Sequence, residues 1–494
     1  MARKLVLSRR HLLIGTAGVV GGAVLAACGA TPAAPTAPSA PPAATATPQP
    51  PGAATQVSAT TAPTLAPTEV ATVPATAAPA SGAKVTLDVH YWEAGSGDAE
   101  QRQMFKTFQE KNPNITIKLD IVPGDQYHTK LKTRFAAGDP PDIFDNNGVV
   151  DYPFLGVVMD IDPLIERDHI DLNIFSVASI STTRFALDNK LYCLPTHGGA
   201  KSFGVNLDLW KETGLDDPNK LYDDKKWTWN DIITYGKAFM KKDDSGKVLR
   251  WFLSGQGDYF PLLLQNDASI VSKDMKSVTI DQPNAIEVFQ FRQDLMFKYN
   301  IAPTAEQSAE LTGGGLFENW LAPLQEGWTD FAYYDKTATT ASKPFTWDLV
   351  PHFVNKKKGN VGTFVGFEIP KAAKHVEEAW QLCKYLSTDV DAGVLWGHIE
   401  LPALKAAAEK SIAESKIMPP HGKRALLEPV DEGYMGPNER FTFPKWGEAS
   451  QVVNRYLSQV DINAMKPDEA CKKIADELKP IVDSMWTEWN SRQS

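Results

Sequence analysis

Trp92 and Glu93 close the alternating stretch VTLDVHYWE and are followed by the small, flexible AGSG. A flat ring beside a carboxylate suits a ligand with an apolar C–H face and a rim of hydroxyls, as a sugar ring has. The competing reading makes Trp92 a cap on a hydrophobic core. Asp145 and Asn146 follow PPDIF, where turn chemistry alone also accounts for Asn-Asn-Gly. Trp320 follows GGGLFEN, and Trp328 ends LQEGW. Phe367 and Glu368 end TFVGFE; Glu368 must face a polar space or find a partner, because a lone buried carboxylate is costly. His197 stands in PTHGGAKS. Trp210, Trp380 and Trp486 fall at apolar helical positions and read as packing.

The elements that must position these residues alternate strand with helix. Val85, Leu87, Val89 and Tyr91 share one face of a strand. Met104, Phe105 and Phe108 recur at helical spacing, ITIKLDIV is a second strand, and a helix in DQYHTKLKTRFAAG ends at Gly138. PDIFD is a third strand. This order predicts an α/β fold with a parallel sheet flanked by helices. The pattern restarts after KLYCLPTHGGAKSFGVNLDLW, with a capping box from Thr228 to Asp231 and a helix starting at Pro283. GGGLFENW and TFVGFEIP read as strands, and from Ala372 the chain is mostly helical.

Ahead of all this lies a segment of different character. Arg3, Lys4, Arg9 and Arg10 precede the apolar LLIGTAGVVGGAVLAA, which has the length of a secretory leader and is too short and glycine-rich to span a membrane. Leu25-Ala26-Ala27-Cys28 resembles the bacterial lipobox, in which the cysteine is lipidated and the leader is cut before it. Ser8-Arg9-Arg10-His11-Leu12-Leu13 resembles a twin-arginine export signal, so both Sec and Tat export stay open. From 29 to 83 the sole ionisable side chain is Glu69, in a run of Ala, Pro and Thr that cannot bury enough apolar surface to fold. A Pro-stiffened tether of about 55 residues reaches on the order of 170 Å when fully stretched.

The formal charge is −10, and loss of the four leader cations leaves about −14. Such an acidic chain is a poor nucleic-acid binder, since phosphate recognition needs clustered Lys and Arg. Cys193, Cys383 and Cys471 are widely spaced and odd in number, which argues against a disulfide framework and a zinc site. One bridge between two of them stays open.

Several landmarks occur in one order: VTLDVHYWEAGSG, MFKTFQEKNPNITIKLDIV, KLKTRFAAGDPPDIF, LYCLPTHGGAKSFGVNLDLWKETGL, WTWNDIITYGKAF, GFEIPKAAKHVEEAWQLCKYLST and PDEACKKIADELKPIV. Together they resemble the extracellular solute-binding proteins of carbohydrate ABC importers, in the maltodextrin-binding-like family. The resemblance runs from Lys84 to the end, with Cys193 standing where Gly or Ala is usual. It implies a two-lobed, type II periplasmic-binding-protein-like fold with a ligand cleft between lobes and three crossings, placed near 195–204, 361–368 and 400–424. The expected parts are a signal peptide at 1–27, a lipidated tether at 28–83, an N-terminal lobe at 84–196 plus about 366–400, and a C-terminal lobe at about 201–361 plus 405–494. It further implies a monomeric receptor, anchored by lipid at Cys28 to the outer face of the membrane. Such a receptor takes a mono- to oligosaccharide to permease subunits, with no cofactor, no metal and no catalysis. The ligand set it implies is Trp92, Glu93, Asp145, Asn146, Trp320, Trp328, Phe367, Glu368 and His197.

Two other classes compete. A lipid-anchored carbohydrate-active enzyme needs two carboxyls about 5–9.5 Å apart, one with a raised pKa; no G-x-S-x-G, H-E-x-x-H or P-loop is present. A structural adhesin would have no ligand-gated cleft. Within the binding class, a polyol or other non-sugar solute is the alternative ligand.

Overall fold

A computed structural model describes residues 84–92, 98–124, 126–310, 315–398, 400–436 and 438–493. The leader, Cys28, the tether and Glu93 lie outside these residues.

β1 (Val85–Trp92) and β2 (Ile115–Val122) pair in parallel along their whole length, and the helix Asp98–Lys111 connects them. Alternation in β1 sends Leu87, Val89 and Tyr91 into a core where Met104, Phe105 and Phe108 of that helix meet them. The helix Tyr127–Ala136 leads to β3 (Ile143–Asp145), which runs parallel to β1 with His90 opposite Phe144. The carboxyl ends of β1 and β3, Trp92 and Asp145, therefore lie side by side at one edge of the sheet.

The remaining strands are β4 (Pro195–Asn206), β5 (Lys241–Lys242), β6 (Val248–Arg250), β7 (Leu324–Trp328), β8 (Trp347–Val350), β9 (Asn360–Glu368), β10 (Leu401–Pro402) and β11 (Met435–Gly436). β4 serves two regions in turn. Its first half pairs antiparallel with β9 through Ala200↔Gly362. Its second half pairs antiparallel with β7 and β8, from Lys201↔Trp328 to Asn206↔Trp347. β9 runs the other way and ends against β3 at Phe144↔Glu368. β10 borders β4 at Leu401↔Gly198. Two long strands and one short one thus pass between the halves of the molecule. Where they pass, the backbones approach so closely that a Cβ on Gly198 would collide with the Thr363 carbonyl oxygen, and one on Gly362 with that of Gly199. This close approach is what glycine permits.

One core gathers Leu87, Tyr91, Phe105, Phe367, Trp380 and Trp396. Another gathers Phe203, Trp227, Phe252, Phe289, Ile474 and Trp489. The second reaches into the first half through Phe154 and Phe185, whose rings lie 6.1 and 5.6 Å from Trp489. Trp210 and Trp380 are buried, and Trp486 packs at the core edge with its indole bonded to the Met275 carbonyl. Cys193, Cys383 and Cys471 are free and buried. Among the described residues no helix is long and apolar enough to cross a membrane.

Local rules hold well. The capping box of Thr228 and Asp231 opens the helix Trp229–Phe239, and Gly138 takes the left-handed conformation, φ +70°, past the helix expected to end there. Residues 315–320, the described part of GGGLFENW, do not form a strand. Glu318 and Asn319 turn their side chains back to the backbone of Gly315, at 3.1 and 3.0 Å, and such local bonds compete with sheet pairing. The strand comes later, as β7.

Candidate functional site

Open α/β sheets present ligand sites beyond the carboxyl ends of their strands. Here that edge carries Trp92, half-buried, and Asp145, fully buried. Asp145 Oδ1 accepts the Asn147 N–H at 2.6 Å, while Oδ2 has no hydrogen-bond partner. Burial pushes the Asp145 carboxyl up to about 7, against the opposing pull of the Asn147 amide and the indole of Trp92. Glu400 stands just before β10. Burial first, then the charges of Asp330 and Asp145, push it up to about 8. Tyr91, whose hydroxyl accepts from Gln101 Nε2 at 2.9 Å, lies within the field of both carboxyls.

Behind this edge Asn146 donates to Glu368 Oε1 at 3.1 Å and accepts from the Gly148 and Gly366 amides at 2.9 and 3.3 Å. Glu368 is 1 % exposed and its Oε2 is unpartnered. Burial, more than the neighbouring charges of Asp145 and Asp151, raises its pKa well above the ordinary carboxylate range. It borders a cavity of about 20 Å³ that Asn146, Thr182, Tyr192 and Phe441 also line, room for a single water.

The opposite wall starts at Trp328, the last residue of β7, paired with Lys201 where β4 changes partners. Lys201 Nζ lies 5.4 Å from the Trp328 ring centre and 2.6 Å from Asp258 Oδ2. Glu326, half-buried, fixes this group. Its Oε2 accepts the Asp258 N–H at 2.7 Å, and its Oε1 lies 3.4 Å from His352 Nε2. An open polar recess of about 300 Å³ results, lined by Lys201, Ser254, Gln256, Asp258 and Glu326. The Trp328 and Phe441 ring centres are 6.4 Å apart. Phe441 in turn rests on Gly148, beside Asn146 and Asp145. Asp330 caps the helix Phe331–Thr340 by accepting the Tyr333 N–H at 2.9 Å. Its charge reaches Glu400.

The structure thus brings together Trp92, Asp145, Asn146, Glu368 and Trp328 of the expected set. It removes three others. Phe367 is a core residue, stacked on Tyr91 at 5.5 Å, because alternation along β9 turns it toward the helices behind the sheet. His197 is stacked on Trp396 at 4.2 Å, and burial pushes its imidazole down to about 3; it is a neutral packing ring. Trp320 precedes the far end of β7, which pairs with Val205 and lies roughly 13 Å from Trp328 at about 3.3 Å per residue. Its indole donates to the Lys343 carbonyl at 2.7 Å, and Lys343 Nζ covers its ring at 3.2 Å.

The sequence reading missed Asp258, Glu400 and Phe441. SGQGDY, rich in Gly and polar residues between apolar runs, carries a signal for the first. Phe441 in RFTFPKW carries none, since its role depends on a contact across the molecule.

Residues 93–392 match the family described as bacterial extracellular solute-binding protein, more than half of the chain. The chain is 29% identical over 215 residues to an arabinooligosaccharide-binding protein of Halalkalibacterium halodurans, a match spanning 42% of this chain and 44% of that one. It is 24% identical over 438 residues to the Bacillus subtilis protein of the same description, covering 82% of this chain and 94% of that one. An ABC substrate-binding protein from Listeria monocytogenes, solved with cycloalternan, superposes with a TM-score of 0.70. That comparison has 22% identity and covers 81% of this chain and 99% of that one.

Proposed function

Since the chain belongs to the bacterial extracellular solute-binding proteins, we propose that it captures a carbohydrate between two lobes and delivers it to an ABC permease. The observation that carries this reading is the meeting of two walls across a crossing. Trp92 and Asp145 end parallel strands on one side, and Trp328 and Phe441 face them from the other. Aromatic faces and fixed carboxyls are the chemistry a sugar ring needs. The relatives above are named for carbohydrate binding, which supports the same ligand class.

The lobes we assign are 84–196 plus about 366–400 and about 201–361 plus 405–494. β4 and β9 are the hinge strands. Ligand touching both walls favours the closed arrangement by no more than its differential affinity for the two states. A shift from 1:99 to 99:1 needs about 5.5 kcal/mol, within reach of stacked rings and hydrogen bonds on both lobes. Lipid on Cys28 and the tether hold the receptor near its permease at raised effective concentration. Replacing Cys28 with Ser should then release the protein from membranes.

A glycosidase is favoured by one feature only, the nearness of two carboxyls pushed up to about 7 and 8, Asp145 and Glu400. One experiment separates the readings. The protein is titrated with mono- and oligosaccharides while its melting temperature is followed, and the mixture is then chromatographed. A sugar at 100 times its Kd adds about 2.7 kcal/mol to stability. Stabilisation without products supports the receptor; product formation supports the enzyme; no stabilisation by any sugar counts against both.

A further inference from the structure

Behind the polar recess next to Trp328 runs a chain of buried bonds whose directions can be assigned. The Trp229 indole N–H can only donate, and it donates to Gln265 Oε1 at 2.8 Å. The amide nitrogen of Gln265 then points to the Gly359 carbonyl oxygen at 3.1 Å and to His352 Nδ1 at 3.0 Å. A carbonyl oxygen can only accept, so this nitrogen is the donor in both bonds. His352 Nδ1 is therefore an acceptor, and the ring carries its proton on Nε2.

The His352 Nε2–H faces Glu326 Oε1, 3.4 Å away. Both atoms are buried, and neither has any other hydrogen-bond partner among the described residues. A buried donor and acceptor left apart are costly, so each constrains the other. The Glu326 side chain, 8 % exposed, passes this constraint on through its second oxygen. Oε2 accepts the Asp258 N–H at 2.7 Å, and a Cβ on Gly257, φ +77°, would stand 2.7 Å from the same oxygen. The loop 254–258 is thus seated on this carboxylate, and buried Arg292 Nε donates to its Gly257 carbonyl at 3.2 Å. Asp258, so placed, holds Lys201 at 2.6 Å, and Lys201 lies over the Trp328 ring. His352 itself does not line the recess. The rings of Phe203 and Phe353 flank it at 4.8 and 4.7 Å. Packing alone would explain a ring here, but not a directed chain of bonds on both sides of it.

We propose that His352 is a positioning residue of the sugar site. Its Nε2–H aims Glu326, and Glu326 sets the loop that presents Gln256 and Asp258 to the recess. This rests on the sugar-binding reading and deepens it, giving the recess a support that touches no ligand. A recess whose polar groups are held in place tells sugars apart by their hydroxyls, because a wrong one leaves those groups unpaired.

Two substitutions separate this role from packing. His352→Phe keeps a flat ring and removes the N–H; His352→Gln removes the ring and returns an N–H. The full chain is titrated calorimetrically with each sugar that stabilises the wild type, starting with arabinotriose and maltotriose, and melting temperatures are followed alongside. The expected result is a loss of affinity of about tenfold or more in His352→Phe, with recovery to within about threefold of the wild type in His352→Gln. Affinity kept in His352→Phe, or equal losses in both variants, would overturn the proposal and leave the sugar receptor standing. Nitrogen-15 spectra of the wild-type imidazole should show a protonated Nε2 and a bare Nδ1. A protonated Nδ1 would overturn the proposal even if both substitutions lowered affinity. Stabilisation by no sugar would overturn the receptor reading, and this role with it.

Discussion

Phe441 rests directly on Gly148. A Cβ at Gly148 would come within 2.8 Å of the ring's Cδ1, and the residue has φ +74°, a conformation that glycine adopts freely. This contact joins the two walls of the cleft and buries the Phe441 ring close to Trp328. Exchange of Phe441 for Leu keeps apolar volume and removes the flat face; exchange of Trp92 for Ala removes the facing ring. Each should weaken sugar binding more than about tenfold, or roughly 1.4 kcal/mol, by calorimetric titration. Normal affinity in both variants would place the site elsewhere.

Trp320 supplies the matching control. Its indole is bonded to Lys343, and it precedes the end of β7 far from the cleft. Trp320→Ala should lower the melting temperature, because the ring packs against Phe345 at 6.0 Å, yet leave sugar affinity within about threefold. A large loss of affinity at unchanged stability would show that the far end of β7 takes part in binding.

Asp145 gives the stability a definite pH dependence. Its carboxyl ionises near 3.9 in an unfolded chain and near 7 in the fold, so the folded state holds the proton more tightly. Its contribution is complete below about pH 4 and is lost as pH rises through about 7. Glu368, also raised by burial, has the same sign. Asp145→Asn has no proton to lose. Between pH 4 and pH 8 it should therefore gain on the wild type by up to about 4 kcal/mol. Urea unfolding at pH 4, 6 and 8 measures this; a constant difference would contradict it.

The crossing strands leave no room for side chains at two glycines. Gly198→Ala and Gly362→Ala each place a methyl against a carbonyl oxygen of the neighbouring strand. Overpacking of this kind costs about 1–3 kcal/mol or more. Gly199→Ala, whose Cβ meets nothing within 4 Å, is the comparison. Thermal unfolding should rank Gly199→Ala as the mildest, and equal melting temperatures in all three would argue against a tight crossing.

What the sequence determined by itself is what short range controls. Alternation in β1 sets which of its side chains are buried, and the spacing of Met104, Phe105 and Phe108 sets one helix face. Thr228 and Asp231 start a helix by bonds that span three residues. The spans of β4 and β9 followed from the family resemblance and not from periodicity, since PTHGGAKSFGVN is neither apolar nor alternating. Trp92 and Asp145 could be placed because each follows a legible strand. Tertiary structure alone decided which neighbour covers each face. Phe367 and Glu368 are adjacent and both buried, yet one meets Tyr91 and the other Asn146. Trp320 and Trp328 looked equivalent until the pairing of β7 with β4 put only Trp328 at the crossing. The contact of Phe441 with Gly148 depends on segments far apart in the chain. The physical reason is that periodicity reports that a face is buried, whereas strand register and long-range contact determine against what.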